Sequence, residues 1–160
     1  TEKAVRAKLE KLMSIKGQKS VDTLQRELGH IMWEHVGMGR NAESLKKAIP
    51  MLENLKKEFW SNVRITGDLT SMNPELEKAS RLADHIELAQ IMAKDALQRE
   101  ESCGGHFREE FQTEEGEAKR NDEDFKFVGA WEYKGDGQEP IMHKEELNYE
   151  FIKVQQRNYK

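Results

Sequence analysis

The chain is 160 residues long, with 36% hydrophobic and 35% charged residues and a formal net charge of −4. That size fits one ordinary domain, which buries roughly 68–70% of its unfolded surface, and the charge balance suits long amphipathic helices better than a thick α/β core. Mild acidity excludes an electrostatic footprint for nucleic acid, the single Cys103 excludes an internal disulfide and fits a reducing compartment, and no apolar run approaches the ~20 residues of a membrane span.

No signal peptide is expected, because Thr1, Glu2 and Lys3 lead straight into an amphipathic pattern. The chain starts without methionine, which reads as an excised piece of something longer or as a processed N-terminus. Val5, Leu9, Leu12 and Met13 recur at helical spacing up to a stop at Gly17. Ser20 is the expected N-cap of a second helix, whose face carries Leu24, Leu28, Ile31, Met32 and His35 and which ends at Gly37 and Gly39. Asn41 caps a third, with Leu45, Ile49, Leu52, Leu55, Phe59 and Val63 in one stripe. Pro50 lies inside that stripe, and a proline there costs ~3 kcal/mol, so a kink or a late helix start is predicted.

Residues 64–72 read as a loop. Asn73 and Pro74 then form an N-cap with proline at the first helical position. The fourth helix is expected to be the longest, broken only at Gly104-Gly105. Its seam of Ala79, Leu82, Ile86, Ala89, Ala93 and Ala96 lets a neighbouring helix approach closely. Residues 112–124 are polar and aperiodic, and are expected to be mobile. From Phe125 the pattern alternates, with Phe127, Gly129, Trp131 and Tyr133 on one side. A turn at Lys134-Gly135-Asp136-Gly137 and a return strand at Ile141, Met142 and His143 complete a predicted hairpin. Tyr149, Phe151, Ile152 and Val154 suggest one more extended piece.

Candidate chemistry is sparse. His30 and His35 are five residues apart and diverge by roughly 140° on a helix, so with Glu34 they read as a surface pair and a half-buried histidine, not a metal site. Asp122, Glu123 and Asp124 lack the alternation and the distal glutamate of a calcium loop. Cys103 and His106 follow a helix C-terminus, where the dipole disfavours a thiolate, and no third orienting group is near. Gly104-Gly105 follows a helix and not a strand, so it is no phosphate cradle, and no dinucleotide fingerprint occurs elsewhere. No catalytic, cofactor-binding or metal residue is predicted.

One segment holds more than a helix exit needs: Arg99, Glu101, Ser102, Gly104, His106 and Arg108 crowd around Cys103 and Gly105. A cap requires only a glycine. The surplus leaves two readings, a hydrogen-bonded corner that grips another surface, or an ordinary capped loop.

This segment resembles the Arg-x-Glu-Ser-Arg-Gly-Ala-His-x-Arg-x-Asp signature of the C-terminal domain of the succinate dehydrogenase / fumarate reductase flavoprotein subunit. Arg99, Glu101, Ser102, Gly104, His106 and Arg108 match it, while Cys103 stands for the usual Arg, Gly105 for Ala and Glu110 for Asp. Met32, His35 and Arg40 resemble the family's Met-Gln-x-His…Arg turn, and Ile86-Glu87-Leu88 its Leu-Glu-Leu. Asn121 to Phe125 resembles the Asp-Asp-Glu-Asn-aromatic segment that follows, and Arg157-Asn158-Tyr159 a closing Arg-x-Tyr. The Cys-Gly-Gly-His form is similar to a Bacteroidetes-type variant. L-aspartate oxidase carries a related signature, and a free-standing helical interaction module is the remaining alternative.

The resemblance implies a mainly α fold: an antiparallel three-helix, spectrin-repeat-like bundle with an extra N-terminal helix and an extended C-terminal tail containing a short β-hairpin. Residues 1–103 form the expected bundle and 104–160 a tail packed on it, one domain of a larger flavoprotein. The resemblance further implies FAD bound in a separate part of the parent subunit and none bound here. The implied parent interconverts succinate and fumarate. Its implied partners are the FAD-binding domain of the same subunit, an iron–sulfur subunit and, indirectly, a membrane anchor, which places it in the cytoplasm at the inner membrane. Arg99, Glu101, Ser102, Gly104, His106 and Arg108 are the expected inter-domain docking residues.

Overall fold

The computed structural model describes residues 1–135 and 137–155. Asp136 of the expected hairpin turn and the closing Arg157-Asn158-Tyr159 lie outside the described residues. Four long helices follow in chain order: α1 (Glu2–Ser14), α2 (Val21–Val36), α3 (Ala42–Asn62) and α4 (Pro74–Gln98). Three of them start where a short polar side chain meets an orphan amide. Ser20 Oγ accepts from the Thr23 N–H at 3.2 Å, Asn41 Oδ1 from the Ser44 N–H at 2.8 Å, and Asn73 Oδ1 from the Leu76 N–H at 3.1 Å.

The helices pack through the predicted faces. Leu24 and Leu28 of α2, Leu45, Leu52 and Phe59 of α3, and Leu82, Ile86 and Ala93 of α4 are all buried in one core. The alanines Ala79, Ala83, Ala89, Ala93 and Ala96 lie on the buried side of α4, where small side chains allow close approach. α1 packs on α4 and closes its part of the core with Leu12.

Two short parallel pairs lock the bundle ends. β1 (Lys19–Ser20) pairs with β3 (Val63–Arg64), so the start of α2 meets the end of α3. β2 (Gly39–Arg40) pairs with β4 (Phe107–Arg108), so the α2–α3 turn meets the chain beyond α4. The consecutive helices α2, α3 and α4 therefore alternate in direction.

Several expectations need correction. α3 does not start late at Pro50; it runs unbroken from Ala42 to Asn62. Pro50 and Lys46 are both exposed, so the carbonyl that loses its hydrogen bond faces water. Arg64, assigned to a loop, is a strand residue of β3. α4 ends at Gln98, well before Gly104-Gly105, with Arg99 in an extended conformation at its cap.

Residues 112–124 are not featureless. Gln112 bridges Ala118, the Thr113 N–H donates to the Glu117 carbonyl, and Asn121 caps a one-turn helix α5 (Asp122–Phe125). Beyond it, β5 (Phe127–Glu132) and β6 (Ile141–Glu146) form the predicted antiparallel hairpin, in the register Phe127↔Glu146 to Glu132↔Ile141. Phe127, Gly129 and Trp131 face the bundle, and the Trp131 indole N–H donates to Asp95 at 2.9 Å. Among the described residues no further strand forms over 147–155, where Tyr149, Phe151 and Ile152 are exposed.

Leu52 is fully buried at the centre of α3. Leu52→Ala should cost ~2–5 kcal/mol through lost burial and the cavity left behind. Urea unfolding of the 160-residue chain checks this, and a loss below about 0.5 kcal/mol, the range of ordinary surface changes, would show the core to be built otherwise.

Candidate functional site

The corner begins where α4 runs out of partners for its last carbonyls. The Arg99 N–H donates to the Asp95 carbonyl at 3.0 Å. The next two carbonyls receive a side chain: Arg108 Nη1 donates to Ala96 at 2.9 Å and to Leu97 at 3.2 Å. A guanidinium at a helix C-terminus satisfies orphan acceptors and opposes the negative end of the helix dipole.

Arg108 reaches that position because its backbone is held on both sides. Ser102 Oγ accepts from the Arg108 N–H at 2.8 Å and donates to the Arg108 carbonyl at 3.1 Å. Its Nε donates to Glu110 Oε2 at 3.1 Å. The other oxygen of Glu110 accepts from the Ala42 N–H, in the first turn of α3. One ion pair thus spans the negative end of α4 and the positive end of α3. Burial alone would raise the Glu110 pKa, but the Arg108 hydrogen bond and charge and the amides of Ala42 and Glu110 itself hold it below its ordinary value.

A second arginine ties the corner to the hairpin. Arg99 Nη1 donates to Glu101 Oε1 at 2.7 Å and to the Phe125 carbonyl at 3.2 Å, and Nη2 to the Phe127 carbonyl at 3.0 Å. The guanidinium lies 4.9 Å from the Phe127 ring centre, within cation–π range. The other oxygen of Glu101 accepts from the Asn121 N–H at 2.9 Å and so fixes the start of α5.

His106 is held by both ring nitrogens. Arg40 Nη1 lies 2.9 Å from Nδ1, and the Arg99 carbonyl 2.9 Å from Nε2. Arginine only donates, so Nδ1 accepts and Nε2 carries the proton. The ring is therefore neutral. Burial lowers its pKa first, and the charges of Arg40, Arg108 and Arg99 lower it further, against the opposing hydrogen bond to the Arg99 carbonyl.

The expected docking residues therefore divide. Glu101 is 3% exposed, Ser102 0% and Arg108 2%; all three point inward and hold this chain together. Arg99 and His106 are half-buried and committed to internal bonds. The turn Cys103-Gly104-Gly105 is exposed, as are Glu100, Glu109 and Glu110. The Cys103 N–H donates to the His106 carbonyl at 2.8 Å and the His106 N–H returns to the Cys103 carbonyl at 3.0 Å. Gly104 has φ +58°, which favours glycine there. Because His106 turns its ring to Arg40 and Arg99, it does not activate the exposed Cys103 thiol.

Some participants went unassigned in the sequence. Asp95 is a helix residue whose role depends on Trp131, and the Glu110–Ala42 contact spans 68 residues, so no local pattern marks either. Asn121 before three acids is a legible capping signal. His35, singled out on α2, hydrogen-bonds Ser44 Oγ at 2.8 Å and bridges α2 to α3.

A cleft of about 540 Å³ opens between α1, α3, α4 and the hairpin loop, where Lys56 pairs with Glu87, Lys94 with Glu139, and Lys11 lies 4.3 Å over Trp60. Among the described residues no three His, Cys, Asp or Glu side chains converge as metal ligands. Each parallel pair is two residues long, and β1 and β2 enter their helices at Ser20 and Asn41 caps without a glycine-rich turn. These residues do not fit a dinucleotide, so no step through a flavin is assigned to them.

A family model described as "Fumarate reductase flavoprotein C-term" matches residues 25–159. The fumarate reductase flavoprotein subunit of Serratia sp. is 33% identical over 121 residues, covering 76% of this chain and 19% of that protein. An uncharacterised FAD-dependent oxidoreductase of Methanocaldococcus jannaschii is 33% identical over 103 residues, covering 64% of this chain and 18% of that protein. Among solved structures, a variant of Escherichia coli quinol fumarate reductase superposes with a TM-score of 0.82 at 24% identity, over 97% of this chain and 26% of that one. A quinol–fumarate reductase with menaquinol molecules gives 0.80 at 26% identity, over 95% and 25%. The chain thus spans about a fifth of the length of the curated relatives it matches.

Two outcomes follow for the 160-residue chain. Arg108→Ala leaves the Ala96 and Leu97 carbonyls without their side-chain donor and should cost ~1–3 kcal/mol, lowering the melting temperature by about 2–4 °C per kcal/mol; a change within 1 °C would contradict the clamp. The lowered His106 pKa means that the unfolded chain binds more protons near neutrality. Stability should therefore fall as pH drops below the unfolded histidine value of about 6.5, down to the folded pKa. His106→Gln, which can accept from Arg40 and donate to Arg99, should flatten the melting-temperature slope between about pH 7 and 5.5; an unchanged slope would contradict the neutral-histidine assignment.

Proposed function

We propose, from the premise that this chain belongs to the fumarate reductase flavoprotein C-terminal family, that it is the buttress of a flavoprotein that interconverts succinate and fumarate. The family match over residues 25–159 carries this reading. In it, residues 1–103 form the bundle, residues 104–160 the tail packed on it, and the whole stands against an FAD-binding domain of the same subunit. FAD resides in that other part. An iron–sulfur subunit receives or delivers the electrons, and a quinone-reactive membrane anchor is met only through it. This places the parent at the cytoplasmic side of the inner membrane.

The geometry supports a structural role for this part. No helix among the described residues is long and apolar enough to cross a membrane, and the histidine and arginines of the corner are engaged in bonds within the chain. The exposed turn at Cys103, Gly104 and Gly105 remains as the corner's contact with a partner.

The test is the full-length subunit. It should purify with FAD and reduce fumarate from a dye donor, while the 160-residue chain alone carries neither flavin nor turnover. A full-length subunit that is flavin-free, or inert with both fumarate and succinate, would contradict the reading.

A further inference from the structure

Two polar stripes face each other across the cleft of about 540 Å³. Glu53, Lys56, Lys57 and Trp60 on α3 recur at i, i+3, i+4 and i+7, as do Glu87, Gln90, Ile91 and Lys94 on α4, and each set lies on one side of its helix. Three ion pairs tie the walls to α4. Lys56 of α3 meets Glu87 at 2.5 Å, Lys8 of α1 meets Asp84 at 2.7 Å, and Lys94 meets Glu139 of the hairpin loop. The hollow is thus framed by the chain itself, at a volume within the range of small-molecule sites.

After these pairs, polar side chains are left over. Those of Glu53, Lys57 and Gln90 make no hydrogen bond or ion pair among the described residues, although Glu53 and Gln90 are half-buried. Lys11 has only the Trp60 ring, 4.3 Å away. Polar groups that a cleft gathers and its own chain does not use are the ones that orient a ligand. Their order along the cleft is informative. α3 and α4 run in opposite directions, so Glu53 and Gln90 both lie one turn to the same side of the Lys56–Glu87 pair, while Trp60 lies one turn to the other side, with Lys57 and Lys11. Seven residues of helix, about 10 Å, separate the two ends.

We propose that this cleft binds a mononucleotide whose base carries an exocyclic amine. Glu53 accepts from the amine and Gln90 bonds the ring edge. Lys57 and Lys11 take the dianionic phosphate, and Trp60 and Tyr133 supply flat apolar surface between the ends. A dicarboxylate would meet repulsion at Glu53, and a simple anion would leave Glu53 and Gln90 unused. The site owes nothing to the buttress reading, and either can fail without the other.

The test is a titration of the ¹⁵N-labelled 160-residue chain with AMP, and separately with adenosine, IMP and inorganic phosphate. AMP should give saturable shifts of the Trp60 indole N–H and the Gln90 side-chain amide. IMP, with a carbonyl in place of the amine, and adenosine, without the phosphate, should each bind roughly tenfold or more weakly than AMP. Lys57→Gln should weaken AMP by a similar factor and leave adenosine unchanged. Glu53→Gln should narrow the difference between AMP and IMP, because its amide can donate to the carbonyl. Neither side chain has a partner within the chain, so both variants should melt with the parent; the Lys57 variant decides alone if the other does not fold. No shift at about 10 mM AMP, a Kd too weak to matter, overturns the site. Inorganic phosphate bound as tightly as AMP, or equal affinity for AMP and IMP, overturns the nucleotide. Shifts centred away from residues 53–60 and 87–94 overturn the location.

Discussion

The guanidinium of Arg108, buried against the C-terminal carbonyls of α4, is the contact on which the rest of this structure turns. A long helix ending inside a domain leaves carbonyls that water cannot reach and that a glycine cap satisfies only in part. Arg108 supplies donors, opposes the dipole of α4 and, through Glu110, reaches the opposite pole of α3. A buried charge of this kind is tolerated only when it is paired and fully hydrogen-bonded. Glu110 pairs the charge and the Ala96 and Leu97 carbonyls accept from it, while Ser102 and the β2–β4 pairing hold its backbone in place.

From that contact outward, the corner sets the course of the remaining chain. Glu101 and Arg99 extend the network to Asn121 and to the first residues of the hairpin, and Trp131 reaches back to Asp95 on the same helix. Residues that resemble a recognition signature thus spend most of their polar atoms internally. The inward side chains bind the corner to α3, α4 and the hairpin, and the turn Cys103-Gly104-Gly105 above them is exposed.

The helices were readable because burial imposes a period. Leu24 and Leu28, Leu45 and Leu52, and Ala79 to Ala96 all lie inward as their spacing requires, and Ser20, Asn41 and Asn73 cap where capping chemistry places them. The hairpin was readable from the alternation of Phe127, Gly129 and Trp131. The end of α4 was misjudged because Gly104-Gly105 is the obvious breaker, whereas the helix stops where Arg108, ten residues beyond Gln98, returns to take its carbonyls. The direction of the corner side chains was likewise not local information. Charge density at a helix exit is compatible with an outward grip or an inward clamp, and only contacts such as Glu110 to Ala42, 68 residues apart, decide between them.

Native-state hydrogen exchange at the amides of Ala42, Arg108 and Asn121 tests the clamp most directly. These three donate to Glu110, Ser102 and Glu101, outside the regular hydrogen bonding of any helix. If the corner belongs to the cooperative core, they exchange only through global unfolding, with the same opening free energy as the central amides of α4. Exchange at rates typical of a surface loop, while α4 stays protected, would contradict it.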